Sequence, residues 1–220
     1  FIHAVGPDRR LRRLRVANAM VGLAEERLQY WSQLRQLAGI EVGGVARKTV
    51  ADALETESDA KVAALRAEAR RLAFLTNKPL ETRADYARKL TRLGIPVDAD
   101  EVITASLVLA RHLHVLDPGA PVYVIGEPPL LAEMRAHGFE VRDDERVRWV
   151  VIAFDRTFTY AKLNTALQAV KGGARLIATN PDRTCPVEGG EIPDCAGMIA
   201  AVEAVTDRKV ETIVGKPSPI

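Results

Sequence analysis

Apolar residues along this chain follow two patterns that alternate. In the first, several apolar positions run together and stop at a polar group. Leu72-Ala73-Phe74-Leu75 ends at Thr76-Asn77, PVYVI fills 121–125, VRWVVIAF fills 147–154 and ends at Asp155, ARLIAT fills 174–179 and runs into Asn180-Pro181-Asp182, and 211–214 closes at Gly215-Lys216. Short unbroken runs of this kind predict buried strands. Weaker strands are predicted at 101–104 and 139–141, and the Gly-rich piece at 39–45 predicts a strand entering a tight loop. In the second pattern apolar residues recur at helical spacing. Thr82-x-x-Asp85 is a capping-box-like start, Tyr86, Leu90 and Leu93 form one face, and Gly94 followed by Ile95-Pro96 stops the helix. Further helices are predicted over 16–38, 59–71 (capped by Ser58), 105–113, 130–136, 160–170 and 196–205, with a polar loop at 183–195.

This strand–helix alternation predicts an α/β protein with mostly parallel sheets. There are more strand–helix pairs than one compact sheet of this size accommodates. The expected organisation is therefore a basic segment and amphipathic helix over 1–38, an α/β core built from 39–117 and 191–220, and a smaller α/β unit, 118–190, inserted into it.

In open α/β folds ligands bind beyond the carboxyl ends of the strands. Here those ends carry Thr76-Asn77, Asp155, Thr179-Asn180-Pro181-Asp182 and Lys216. A hydroxyl, an amide and an ammonium converging there suit an anion such as phosphate, with lysine as a point-charge ligand.

Composition narrows the classes. The 220 residues are 47% hydrophobic and 27% charged with a net charge of +2, which is ordinary for a globular protein and gives no general affinity for polyanions. Arg9, Arg10, Arg12, Arg13 and Arg15 read either as an anion-binding cluster or as a solvated terminus. No helix-turn-helix pattern or aromatic interleaving supports the first reading, and a nucleic-acid partner is not expected. Val16, Met20, Leu23, Tyr30, Trp31, Leu34 and Leu37 form a stripe expected to pack on the domain or on a second copy, which would make a homo-oligomer. The apolar runs fall short of a membrane span and no secretory leader is read. Cys185 and Cys195 lack His or Cys neighbours at ligand spacing, so zinc is not expected. They read as reduced thiols of a cytoplasmic protein, with a disulfide as the alternative. The sequence opens on Phe1 rather than Met, and an incomplete fragment is expected.

Several of these segments together resemble a known family. FLTN at 74–77, followed by Tyr86-Ala-Arg-Lys-Leu-x-x-Leu-Gly94-Ile95, resembles the second motif of the haloacid dehalogenase superfamily. It is similar in particular to the class IIA branch, which includes p-nitrophenyl phosphate, phosphoglycolate and glycerol-phosphate phosphatases. Val124-Ile125-Gly126, Asp155-Arg156-x-Phe158-x-Tyr160-x-Lys162-Leu163 and Ala178–Asp182 resemble that branch's cap domain, and Val214-Gly215-Lys216-Pro217-Ser218-Pro219 resembles its third motif. The resemblance runs over 59–220. It implies a Rossmann-like parallel-sheet core with an inserted α/β cap. It also implies hydrolysis of a small phosphorylated metabolite through an aspartyl-phosphate, with Mg²⁺ neutralising the phosphate. Carried over by position, Thr76 and Asn77 contact the phosphoryl group, Lys216 holds nucleophile and phosphate together, and Asp155, Tyr160, Asn180 and Asp182 belong to the cap and shape the substrate pocket.

The family's first motif, Asp-x-Asp-Gly, has no intact counterpart. Either Glu41-Val42-Gly43-Gly44-Val45 is its degenerate form, or 1–57 is unrelated sequence. On the first alternative Glu41 stands at the nucleophile and metal-ligand position and Gly43 at the acid/base position. A carboxylate displaced by about 1 Å costs on the order of a hundredfold in rate, and a glycine forfeits roughly 10²–10⁴ of general acid catalysis. The fourth motif, which completes the Mg²⁺ site, would follow Lys216. The resemblance therefore predicts a phosphatase that is impaired or incomplete in this chain; the alternative is a non-catalytic phosphometabolite-binding protein on the same scaffold.

Overall fold

A computed structural model describes residues 2–5, 62–67, 71–187, 190–216 and 218. The predicted helix at 16–38, the strand at 39–45, the arginine cluster and both Glu41 and Gly43 lie outside these residues. The strands are β1 (Ile2–Val5), β2 (Arg71–Thr76), β3 (Val102–Thr104), β4 (Pro121–Ile125), β5 (Glu140–Arg142), β6 (Trp149–Ile152), β7 (Arg175–Ala178), β8 (Thr184–Val187), β9 (Gly190–Pro193) and β10 (Thr212–Ile213). The helices are α1 (Arg83–Arg92), α2 (Ala105–Leu116), α3 (Pro128–Ala136), α4 (Tyr160–Lys171) and α5 (Cys195–Thr206), with a further helical turn at 62–67.

The chain divides into two compact units. The first takes in the described residues up to Leu75, Arg83–Val102 and residues 186, 187 and 190; the second takes in Thr76–Thr82, Ile103–Cys185 and the described residues from Glu191 onward.

In the first unit, β2 alternates. Leu72 and Phe74 are buried and pack with Tyr86, Ala87 and Leu90 of α1 and with Ile95, Val97 and Val102. The period of two puts Leu72 and Phe74 on one face of the strand, and the period of 3.6 puts Tyr86, Ala87 and Leu90 on one face of the helix. Gly94 stops α1 in the left-handed region (φ 87°), and the Ile95 N–H returns to the Leu90 carbonyl at 3.0 Å. Ile2–Val5 departs from expectation. The sequence reads as a basic segment with no strand there, but it pairs antiparallel with β2, Ile2 opposite Phe74.

The second unit is built on five parallel strands in the order β10-β7-β6-β4-β5. Alternate residues serve opposite faces. Val122, Val124, Trp149, Val151 and Ile177 pack with Leu109 and Leu113 of α2 and Leu130 and Met134 of α3. Tyr123, Ile125, Val150, Ile152 and Leu176 pack with Ala166 and Ala169 of α4 and Met198 and Val202 of α5. Helices thus cover both faces, which is why these strands read as continuous apolar runs. The sequence order of the strands reverses between β4 and β6, and such a switch point opens a crevice beyond the carboxyl ends.

The stretch 183–195 is not a loop throughout. It contains β8 and β9, which form a two-stranded sheet of their own. Prolines at 186 and 193 hide the strand pattern, because proline is tolerated in exposed strand edges but reads as a breaker. Strand β10 draws part of 191–220 into the same sheet as β4 to β7.

Candidate functional site

At the carboxyl edge of the five-stranded sheet the main-chain ladder continues past the strand ends. Thr179 N–H donates to Ile152 O, Val214 N–H to Ala178 O, and Gly215 N–H to Thr179 O at 2.7 Å. The polar residues that follow β6, β7 and β10 are thereby delivered side by side.

One cluster joins three segments far apart in sequence. The Asn77 carboxamide pairs with the main chain of Lys216 at two points: its Oδ1 accepts the Lys216 N–H at 2.8 Å and its Nδ2 donates to the Lys216 carbonyl at 3.0 Å. The second Nδ2 hydrogen goes to Asp182 Oδ2 at 2.9 Å. Asp182 Oδ2 also accepts from Asn180 Nδ2 at 3.0 Å, and Asn180 donates its other hydrogen to Asp194 Oδ1 at 3.1 Å. The Thr179 hydroxyl donates to Asn180 Oδ1 at 2.7 Å. Thr179 and Asn180 are fully buried, so a carboxamide with all its groups satisfied avoids the penalty of an unpaired buried amide. Beside it, the buried Thr76 hydroxyl oxygen accepts from Lys78 N–H at 3.1 Å. Its own hydrogen has no acceptor among the described residues.

The second cluster closes the turn after β6. Asp155 is buried. Its Oδ1 accepts from Thr157 N–H at 2.9 Å and the Thr157 hydroxyl at 2.7 Å, and its Oδ2 pairs with Lys162 Nζ at 2.5 Å. Thr159 caps α4, which sets Lys162 on the first turn facing back toward Asp155. Tyr160, the first residue of α4, is 84% exposed. Across the switch point, the carboxylate of Glu127 takes both Arg156 Nε and Nη2 at 2.7 Å and the Arg156 N–H at 3.1 Å. The side-chain bonds from Arg156 hold the Glu127 carboxyl below its usual range in spite of burial.

Of the residues singled out in the sequence, Thr76, Asn77, Asn180, Asp182 and Lys216 are gathered at the first cluster, and Asp155 and Tyr160 at the second. Sequence reasoning missed Lys162, Glu127 and Asp194 as members. Asp194 had a legible signal: an acidic residue directly before an apolar helical run is an N-cap candidate, and its Oδ1 accepts the Cys195 N–H. Neither cysteine lies in an open loop. Both are buried and neither is in a disulfide, and burial pushes the Cys195 thiol up to about 12, which leaves it inert at neutral pH.

Asp194 gives the cluster a pH signature. Burial raises its carboxyl above the ordinary value; bonds from Cys195 N–H and Asn180 oppose that shift, Asp182 adds to it, and Lys78 opposes it. The folded state therefore binds this proton more tightly than the unfolded chain does. Its contribution to stability is greatest at low pH and declines as pH rises through the unfolded carboxylate value near 4 toward the raised folded one. Asp194→Asn keeps an oxygen for the Cys195 N–H and removes the titration. The stability difference between Asp194→Asn and wild type should move in favour of the variant as pH rises from about 4 to about 7, read from urea midpoints.

Glu41, the residue that the family resemblance sets at the Mg²⁺ site, lies outside the described residues. Among the described residues no group of three or more His, Cys, Asp or Glu side chains is arranged to hold a cation. Among these residues, too, no helix is long and apolar enough to cross a membrane.

A parallel sheet covered by helices on both faces, with polar residues at its carboxyl edge, defines an open α/β protein. The family model of the haloacid dehalogenase-like hydrolases matches residues 50–140. Sugar-phosphatase AraL of Bacillus subtilis is 40% identical over 155 residues, covering 70% of this chain and 57% of the relative. The acid sugar phosphatase of Staphylococcus saprophyticus is 38% identical over 147 residues, covering 67% and 56%. The solved p-nitrophenyl phosphatase from Archaeoglobus fulgidus superposes with a TM-score of 0.68 at 32% identity, covering 74% of this chain and 62% of that one. The chain belongs to the haloacid dehalogenase superfamily, and its relatives are of the kind found in the class IIA branch. It spans little more than half the length of the two curated relatives.

Proposed function

We propose that this chain is part of a phosphatase acting on a small phosphomonoester, and that its first cluster binds the phosphoryl group. The observation that carries the reading is the two-point pairing of Asn77 with the Lys216 main chain, which brings together two residues 139 positions apart. Lys216 supplies the positive charge and Thr76 the hydroxyl hydrogen; the Asn77 side chain, engaged on both sides, acts by holding Lys216. Binding of this kind favours a group that gains charge in the transition state. Asp155 shapes the substrate pocket indirectly, by closing the turn that presents Tyr160. The relatives named for sugar phosphates make that class of monoester the first to test. Two cysteines outside any disulfide accord with a reducing, cytoplasmic compartment.

Calorimetric titration of the chain with inorganic phosphate and with a hexose phosphate tests this. Wild type should bind both, and Lys216→Ala should weaken binding by about tenfold or more, the worth of one charge-assisted hydrogen bond. Equal affinity for wild type and Lys216→Ala would overturn the reading. Turnover of p-nitrophenyl phosphate with Mg²⁺ in the same samples separates a phosphatase from a phosphate-binding scaffold.

A further inference from the structure

We infer that Asn180 and Asp182 are positioning residues that set Lys216 through the Asn77 carboxamide, an inference that rests on the proposed phosphate role of Lys216. The connection runs Thr179 to Asn180, Asn180 to Asp182 and Asp194, Asp182 to Asn77, and Asn77 to both main-chain groups of Lys216. Each contact has a direction that only these groups satisfy. Asn77 must present Oδ1 to a peptide N–H and Nδ2 to a peptide carbonyl, so its amide orientation is fixed by Lys216. The remaining Nδ2 hydrogen then requires an acceptor, and Asp182 Oδ2 is that acceptor. Asp182 is in turn held by Asn180, whose carboxamide is fully buried and has its oxygen capped by Thr179. An aspartate at 77 or at 180 would set like charges against Asp182. The relay anchors Lys216 to the buried end of β7, so a strand end in the sheet fixes where the lysine's main chain sits.

Hydrogen-bonded chains of this type are best apportioned by coupling between substitutions. Asp182 is half-buried, so Asp182→Ala is expected to fold, and its melting temperature checks that. Inorganic phosphate affinity is measured for wild type, Asp182→Ala, Lys216→Ala and the double variant. If Asp182 acts through Lys216, Asp182→Ala weakens phosphate binding by about three- to tenfold when Lys216 is present and adds nothing when it is absent. Asp182→Asn, which retains an oxygen for Asn77, recovers most of the affinity. An equal loss in both backgrounds, or no rescue by asparagine, overturns the relay. Hydrogen exchange at the Lys216 amide, bonded to Asn77 Oδ1, decides independently of phosphate: exchange should quicken in Asp182→Ala, and unchanged protection overturns the relay. Absence of phosphate binding in wild type would instead remove the proposed function while leaving the exchange result to judge the relay.

Discussion

Replacing Gly215 by alanine is expected to lower the melting temperature by about 6–12 °C and to abolish measurable phosphate binding. A Cβ added at Gly215 would lie 2.4 Å from the Thr179 carbonyl oxygen, 2.8 Å from Asn77 Oδ1 and 3.0 Å from Asn180 Cβ. The first of these is main chain of β7's extension and cannot rotate away. It is also the acceptor of the Gly215 N–H, so relief of the clash breaks a hydrogen bond. Overpacking of this severity costs about 3 kcal/mol, and in a domain of this size each kcal/mol shifts the midpoint by about 2–4 °C. The second contact falls on the oxygen that accepts the Lys216 N–H, so the strain is transmitted to the lysine. Gly197 is the matched control. It lies in α5, where an added Cβ would meet no heavy atom within 4 Å, and Gly197→Ala should be neutral or stabilise by up to about 1 kcal/mol. Differential scanning calorimetry of the two variants decides; a Gly215→Ala protein that melts with wild type would show that β7 and β10 are not held as tightly as their geometry implies.

Asp155→Ala should destabilise the second unit by about 3 kcal/mol. The Asp155 side chain is fully buried, and its removal leaves the Lys162 ammonium, 26% exposed, without its carboxylate and the Thr157 N–H and hydroxyl without their acceptor. Breaking a buried pair on one side costs more than the pair itself contributes, because the remaining charge stays desolvated. The partial exposure of Lys162 lets it reach water and moderates the loss. Asp155→Ala combined with Lys162→Met should therefore recover about 1–2 kcal/mol relative to the single variant. Urea denaturation measures both. A double variant less stable than Asp155→Ala would mean that Lys162 acts there through some contact other than its ion pair.

The elements of the second unit were mostly legible. Buried parallel strands have no solvent face, so PVYVI, WVVI and LIA stand out as unbroken apolar runs whatever the fold does elsewhere. In the first unit the turn signal at Gly94 was equally plain, because the left-handed backbone there, φ 87°, suits glycine above other residues. The β8–β9 ribbon was not legible, since its prolines and mixed burial imitate a loop. The site was half legible. Thr76, Asn77, Asn180, Asp182 and Lys216 could be named because a polar residue ending an apolar run is visible in one dimension. Their partners could not. Glu127 and Lys162 look like ordinary surface charges until β4 and β6 are set side by side.

The sequence by itself determined the alternation of strand and helix, the α/β class, the family and the residues standing at the strand ends, because periodicity and local turn chemistry act over a few residues. The tertiary structure alone decided that Asn77 grips the main chain of Lys216, that Asn180 is buried with its carboxamide fully engaged, and that position 215 has no room for a side chain. Those facts depend on strand order and register, which pair β7 with β10 and set the loop after β2 beside them. Hydrogen-bond direction and close approach are properties of that juxtaposition, and no local stretch of chain encodes them.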